Sequence, residues 1–157
     1  MSTTPTAGVV QATPTTDSVG VALQQTLTDL LDLTLQTKQA HWNLTGPRFL
    51  PLHQQLDTIA TTARDHADTI AERAAAIGTP PDGRSITIVA TSRLPQLNAG
   101  VLRDNTVIDK VEDILTTTAA GIRQAIDATA NDPITQDILI TTGHDIEQQA
   151  WLLRSQR

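Results

Sequence analysis

Five of the side chains between positions 41 and 72 that can ligate a divalent metal are His41, His53, Asp57, Asp68 and Glu72. The last four lie in one stretch with helical periodicity. At about 100° per residue, setting His53 at zero puts Asp57 at about 40°, Asp68 at about 60° and Glu72 at about 100°. All four share one narrow face. The apolar residues of the same stretch, Leu52, Leu56, Ile59, Ala63, Ile70, Ala74 and Ile77, fall at roughly 240–320° on the same wheel. The ligand face therefore flanks the subunit's own core.

Distance along the helix adds a second constraint. Asp57 and Asp68 are eleven residues apart, about 16 Å along the axis. Metal–oxygen bonds are about 2 Å, so the two pairs cannot grip one ion within one chain. His53 with Asp57 forms one half-site and Asp68 with Glu72 another. Two copies of the helix, antiparallel about a two-fold axis, would build two equivalent complete sites. His41 lies five residues before Gly46-Pro47 and His53 six after it, so a helical hairpin brings both to similar heights. The expected site is His41, His53 and Asp57 from one subunit with Asp68 and Glu72 from its neighbour. Nitrogen with several carboxylates and no thiolate suits iron or manganese, with zinc as a substitute. The openness of such a site suggests Fe(II) held loosely enough to react. Residue by residue, a plainer reading stands beside this one: a helical His is often structural, and Asp68 and Glu72 would then be a solvated face paired with Arg64 or Arg73.

The elements that must position these residues are helices. The chain has 157 residues, 39% hydrophobic and 18% charged, with only Trp42, Trp151 and Phe49 as aromatics. That is one domain's length, and the scarcity of aromatics argues against a sandwich or barrel. Residues 1–16, rich in Thr and Pro and uncharged, are expected to be a disordered tail; residues 17–157 form the domain. A first helix is predicted from Asp17 to Gly46-Pro47, with Val21, Leu23, Leu27, Leu30, Leu31 and Leu35 as its apolar positions. A second runs from Pro47 to Ile77 with Gly78 as its C-cap. Residues 84–103 are expected to be a long crossover with one short helix, despite strand character at Ile86, Ile88 and Val89. A third helix spans Asp104–Thr129 and a fourth Pro133–Arg154. Tight turns within each pair and a long middle connection define an all-α, ferritin-like four-helix bundle.

Composition excludes several functions. Zero cysteines remove disulfides, thiolate metal sites and cysteine nucleophiles, and fit a cytosolic protein. Eleven basic against seventeen acidic residues give a net charge of −6, which argues against holding a phosphate backbone by the general surface. No apolar run reaches the length of a membrane span, and the first twenty residues lack the features of a secretory signal. No serine sits in a nucleophile elbow. His66 and His144 are read as surface positions.

Lys38-Gln39-Ala40-His41-Trp42-Asn43, then Gly46, Phe49, Leu52-His53, Asp57, Asp68 and Ala71-Glu72-Arg73 resemble the signature of the Dps family, mini-ferritins also called DNA-binding proteins from starved cells. The resemblance runs from about residue 17 to the end. It implies a hollow homododecamer whose inter-subunit ferroxidase centres oxidise Fe(II), preferentially with hydrogen peroxide over dioxygen, and deposit ferric mineral inside, a cytoplasmic protection against oxidative damage. His41, His53, Asp57, Asp68 and Glu72 match the iron ligands. Trp42 matches the tryptophan beside the centre, with interface packing as its other reading. Asp132 and Asp137, near the start of the last helix, fit the acidic pores through which cations enter; an ordinary N-cap and helix-dipole partner is the alternative for both. Some family members hold DNA through lysine-rich tails and associate with the nucleoid. Here Lys38 is the first basic residue and the end of the chain carries only Arg154 and Arg157, so DNA binding is expected to be weak or absent. A DNA-compacting protein with incidental metal sites is the alternative function.

Overall fold

The computed structural model describes residues 15–157, with side chains from residue 18 onward. The expectation of a disordered segment thus lies outside the described residues for positions 1–14, while Thr15 and Thr16 already belong to a helix. The elements are α1 (Thr15–Asn43), β1 (Leu44–Thr45), α2 (Phe49–Ala76), α3 (Ser85–Thr91), β2 (Leu102–Arg103), α4 (Asp104–Ala128) and α5 (Pro133–Arg154). α1 packs on α2, α4 on α5, and the pairs close through α1 on α4 and α2 on α5. This is the four-helix bundle expected, with α3 in the crossover.

Each long helix contributes one aliphatic stripe to a single core. On α2 the stripe is Leu52, Leu56, Ile59, Ala63, Ala67, Ile70 and Ala74, all buried. Leu23, Leu27, Leu30 and Leu33 of α1 and Val107, Ile108, Val111, Ile114, Leu115 and Ile122 of α4 meet it. Burying a Leu or Ile side chain is worth about 1.5–3 kcal/mol, so these stripes fix the helix rotations and hence where every ligand faces. The α1 stripe differs from expectation. Val21 and Leu35 are exposed, at 65% and 59%, while Leu33 is fully buried. Two carboxylates, Asp29 and Asp32, are buried on the same helix. Asp29 accepts from Arg93, and Asp32 from Ser92, Gln36 and Gln96, which pins the crossover across α1.

Helix ends follow local chemistry. α2 stops in a Schellman turn: Gly78 takes φ +83°, its N–H donates to the Ala75 carbonyl at 3.0 Å and that of Thr79 to Ala74 at 2.9 Å. α2 begins at Phe49, two residues after the expected Pro47, because Gly46 and Pro47 are spent on a turn. β1 and β2 form a two-residue parallel ladder, Leu44 opposite Leu102 and Thr45 opposite Arg103. An all-helical reading missed this bridge, which is too short to leave an alternating pattern. Ile86, Ile88 and Val89 lie on the short helix α3 instead of a strand.

Candidate metal centre

The hairpin between α1 and α2 brings His41 and His53 face to face. Their rings stack with centroids 3.6 Å apart and planes 20° from parallel. His41 Nδ1 lies 2.9 Å from the His53 carbonyl oxygen, and His53 Nδ1 lies 3.1 Å from the carbonyl of His41. A carbonyl oxygen only accepts, so each Nδ1 is the donor. The neutral ring then carries its lone pair on Nε2. Among the described residues neither Nε2 has a hydrogen-bond partner. Fixing one imidazole nitrogen as a donor to backbone is how metal-binding histidines are oriented. The phenyl ring of Phe49 stacks on His53 at 5.0 Å, completing a column of three rings.

Asp57 follows His53 by one turn and is exposed. Its Oδ1 accepts from Lys38 Nζ at 2.7 Å. That hydrogen bond and the ammonium charge hold the Asp57 carboxyl below its ordinary value, with smaller contributions from His41 and His53. Lys38 Nζ also lies 5.7 Å from the Trp42 ring centroid, over its face. Trp42 itself is 68% exposed. Lys38 is the site residue that sequence reasoning missed. The signal was available in the hairpin: three residues back from His41 and four on from His53 reach Lys38 and Asp57.

Asp68 and Glu72 lie on the same uninterrupted helix α2, both exposed. Eleven residues of continuous helix put Asp68 about 16 Å along the axis from Asp57. Among the described residues no three His, Asp or Glu side chains of one chain gather to hold a metal. The structure brings His41 and His53 together, turns Asp57 to Lys38, and leaves Asp68 and Glu72 apart from all three. Among the described residues Asp68 and Glu72 have no ion pair with arginine: Arg73 donates instead to Thr135 at 2.8 Å and to both oxygens of Asp132 at 3.0 and 2.9 Å.

Asp132 is the N-cap of α5, its carboxylate accepting from the Thr135 N–H at 3.2 Å and the Thr135 hydroxyl at 2.6 Å. Thr135 and Arg73 hold it ionised, below the usual carboxylate range. Asp137 is exposed one turn further on. His144 is exposed as expected, but His66 is not a surface residue. Its side chain is tied between α2 and α5, Nε2 2.9 Å from Asp145 Oδ2 and Nδ1 3.2 Å from the Thr142 hydroxyl, because its position faces the α5 seam.

The bundle with a long crossover defines a ferritin-like protein, and residues 21–157 match the Ferritin-like domain. The chain is 42% identical over 135 residues to DNA protection during starvation protein 2 of Deinococcus radiodurans, an alignment covering 85% of this chain and 56% of that protein. It is 36% identical over 135 residues to the DNA protection during starvation protein of Agrobacterium fabrum, covering 85% and 83%. Among solved structures it superposes on Dps92 from Deinococcus radiodurans with a TM-score of 0.88 at 40% identity, over 91% of this chain and 87% of that one. The chain therefore belongs to the Dps family of ferritin-like proteins.

Proposed function

We propose that the protein handles iron in a protective role, oxidising Fe(II) at centres shared between subunits and storing the ferric product. The observation that carries this reading is the pair of stacked imidazoles, each locked by the other's backbone so that Nε2 is left for a metal. Membership of the Dps family supports it. Each complete centre takes His41, His53 and Asp57 from one subunit and Asp68 and Glu72 from another, and zinc or manganese can stand in for iron. The roughly 16 Å between half-sites on one uninterrupted helix argues for a second copy. Family membership favours a dodecamer around a mineral cavity.

Hydrogen peroxide is the preferred oxidant and dioxygen the poorer one. One peroxide takes one electron from each of two Fe(II), its O–O bond breaks, and the oxygens leave as hydroxide or water. Consuming both reactants together prevents hydroxyl radical formation. Trp42, which follows His41 in the chain and is exposed beside Lys38, is the residue to which this reading gives electron exchange with the centre. Asp137, exposed at the start of α5, suits a path for entering cations; the Asp132 carboxylate is committed to Arg73 and Thr135, which weakens that role for it. Duplex DNA is at most a weak partner, given the net charge of −6. No helix of the described residues is long and apolar enough to cross a membrane; the cytoplasm is the compartment this reading takes from family membership.

The test is anaerobic Fe(II) loading followed by peroxide, with ferric absorbance recorded for the native protein and for Asp68→Ala/Glu72→Ala. Rapid oxidation in the first and only the buffer rate in the second is expected. Equal rates in both would overturn the assignment. Sizing the same preparations reads the assembly directly.

A further inference from the structure

The α1–α2 hairpin is held from behind by a buried carboxylate that plays no part in the centre described above. Asp104, the first residue of α4, is 4% exposed. Its Oδ2 accepts both from the backbone N–H of Arg48 at 3.2 Å and from the Arg48 side-chain Nε at 3.1 Å. Oδ1 accepts from the Asn105 N–H at 2.9 Å. The same guanidinium donates to the Asn105 side-chain oxygen and, at 2.6 Å, to the carbonyl of Gln156. One arginine thus bolts the hairpin to α4 and to the backbone beyond α5. Gly46 shows how closely this nest is built. It sits at φ +133°, and a Cβ there would meet the Asp104 carboxylate at 2.6 Å. Only glycine fits both the backbone and the contact.

Arg48 immediately precedes Phe49, whose ring stacks on His53, and the Leu52 N–H donates to the Arg48 carbonyl. The first turn of α2 therefore takes its position from the Arg48–Asp104 contact, and His53 takes its own from that turn. Because His41 and His53 orient each other through reciprocal ring-to-backbone bonds, a shift of about 1 Å in the first turn of α2 would misalign both Nε2 atoms at once. We propose that Arg48 is a positioning residue for the metal centre, acting through Asp104 to hold the two imidazoles in their paired, metal-ready arrangement. This rests on the reading of His41 and His53 as ligands.

The test uses the assembled full-length protein and Co(II) under anaerobic conditions, followed by its visible absorbance, with Km and kcat for Fe(II) oxidation measured alongside. The variants are Arg48→Gln, Arg48→Lys and Arg157→Gln. The last cuts the ties of Arg157 to Asp109 and Glu112 and removes none of the groups that Arg48 bonds to. Co(II) affinity is expected to fall about tenfold in Arg48→Gln, the usual scale for losing an outer-sphere support. Arg48→Lys, which keeps the charge but not the fork, should fall between it and the native protein. Arg157→Gln should bind as the native protein does, and Km should rise more than kcat falls. Native affinity in Arg48→Gln, or an equal loss in Arg157→Gln, overturns the proposal. Should Arg48→Gln fail to assemble, Arg48→Lys decides it: unchanged affinity refutes the positioning role. A native protein that binds no Co(II) would instead refute the metal centre itself.

Discussion

Complementation between two inactive variants tests the division of the centre between subunits. One variant carries His53→Ala/Asp57→Ala and the other Asp68→Ala/Glu72→Ala, so each homo-oligomer lacks half of every site. The half-sites lie about 16 Å apart on one helix, so no chain can complete a centre alone. In a two-fold pair made of one of each variant, one site collects both defective halves and the other collects both intact halves. Equal, random mixing makes about half of all pairs mixed, and one site in two within those is whole. Recovered activity should therefore be about one quarter of native, counted over all sites. The variants would be co-expressed with distinguishable tags, purified through both, and followed by ferric absorbance after Fe(II) and peroxide. Purification through both tags enriches mixed assemblies, so mass spectrometry must supply the mixing ratio used for the comparison. No recovery in particles shown to contain both chains would refute the shared centre. Recovery well above the fraction set by mixing would refute the pairing of these particular residues.

Lys38→Met should raise the affinity for Co(II) or Fe(II), because the ammonium that engages Asp57 at 2.7 Å competes with a cation for that carboxylate; an isotherm unchanged from native would show that the ion pair opens without cost. Asp132→Ala removes the α5 cap and strands Arg73, and should cost about 1 kcal/mol from the cap alone, about 2–4 °C in the thermal midpoint for a chain of this size. The Asp132 carboxyl is held below its ordinary value by Thr135 and Arg73. Its contribution is therefore complete above the ordinary carboxylate range, near pH 4, and fades as pH falls through the depressed value; the gap between native and Asp132→Ala midpoints should narrow on acidification, and a constant gap would count against it. Duplex DNA should not be retained in a mobility shift at physiological salt, and retention that does not weaken between low and moderate salt would contradict the charge argument.

How much of this could be read in the sequence varied with the physics involved. The α2 stripe was legible because Leu52, Leu56, Ile59, Ala63, Ile70 and Ala74 repeat at helical spacing, and all are buried; Ile77, expected to continue it, is the half-buried C-cap. α1 was harder: Val21 and Leu35 fit the period yet face outward, while Asp29 and Asp32 are buried. Their partners, Arg93, Ser92 and Gln96, come from a crossover some sixty residues away, and no local pattern announces such a contact. His41 and His53 were placed together by counting from the turn. Their mutual ring-to-carbonyl bonds depend on side-chain rotation, which spacing does not specify. Lys38 was countable from the same turn but reads, one residue at a time, as an ordinary solvated lysine.

The separation of faces on α2 decides what substitutions in this protein can mean. His53, Asp57, Asp68 and Glu72 are exposed or half-buried, while their neighbours Leu52, Leu56, Ala67, Ile70 and Ala74 are buried. Surface changes away from caps and buried networks alter stability by about 0.5 kcal/mol or less, whereas truncating a buried Leu costs about 2–5 kcal/mol. Replacing Asp57, Asp68 or Glu72 should therefore leave the fold standing and remove only chemistry. His53 is the exception on the ligand face, because its ring also stacks on His41 and Phe49 and bonds to backbone. A His53 variant must be checked for assembly before its lost activity is read as a lost ligand, whereas Asp68→Ala/Glu72→Ala can be read directly. If Leu56→Ala, next to Asp57 in the chain but buried in the core, kept full stability while Asp68→Ala/Glu72→Ala unfolded the bundle, the assignment of core and ligand faces on α2 would be inverted.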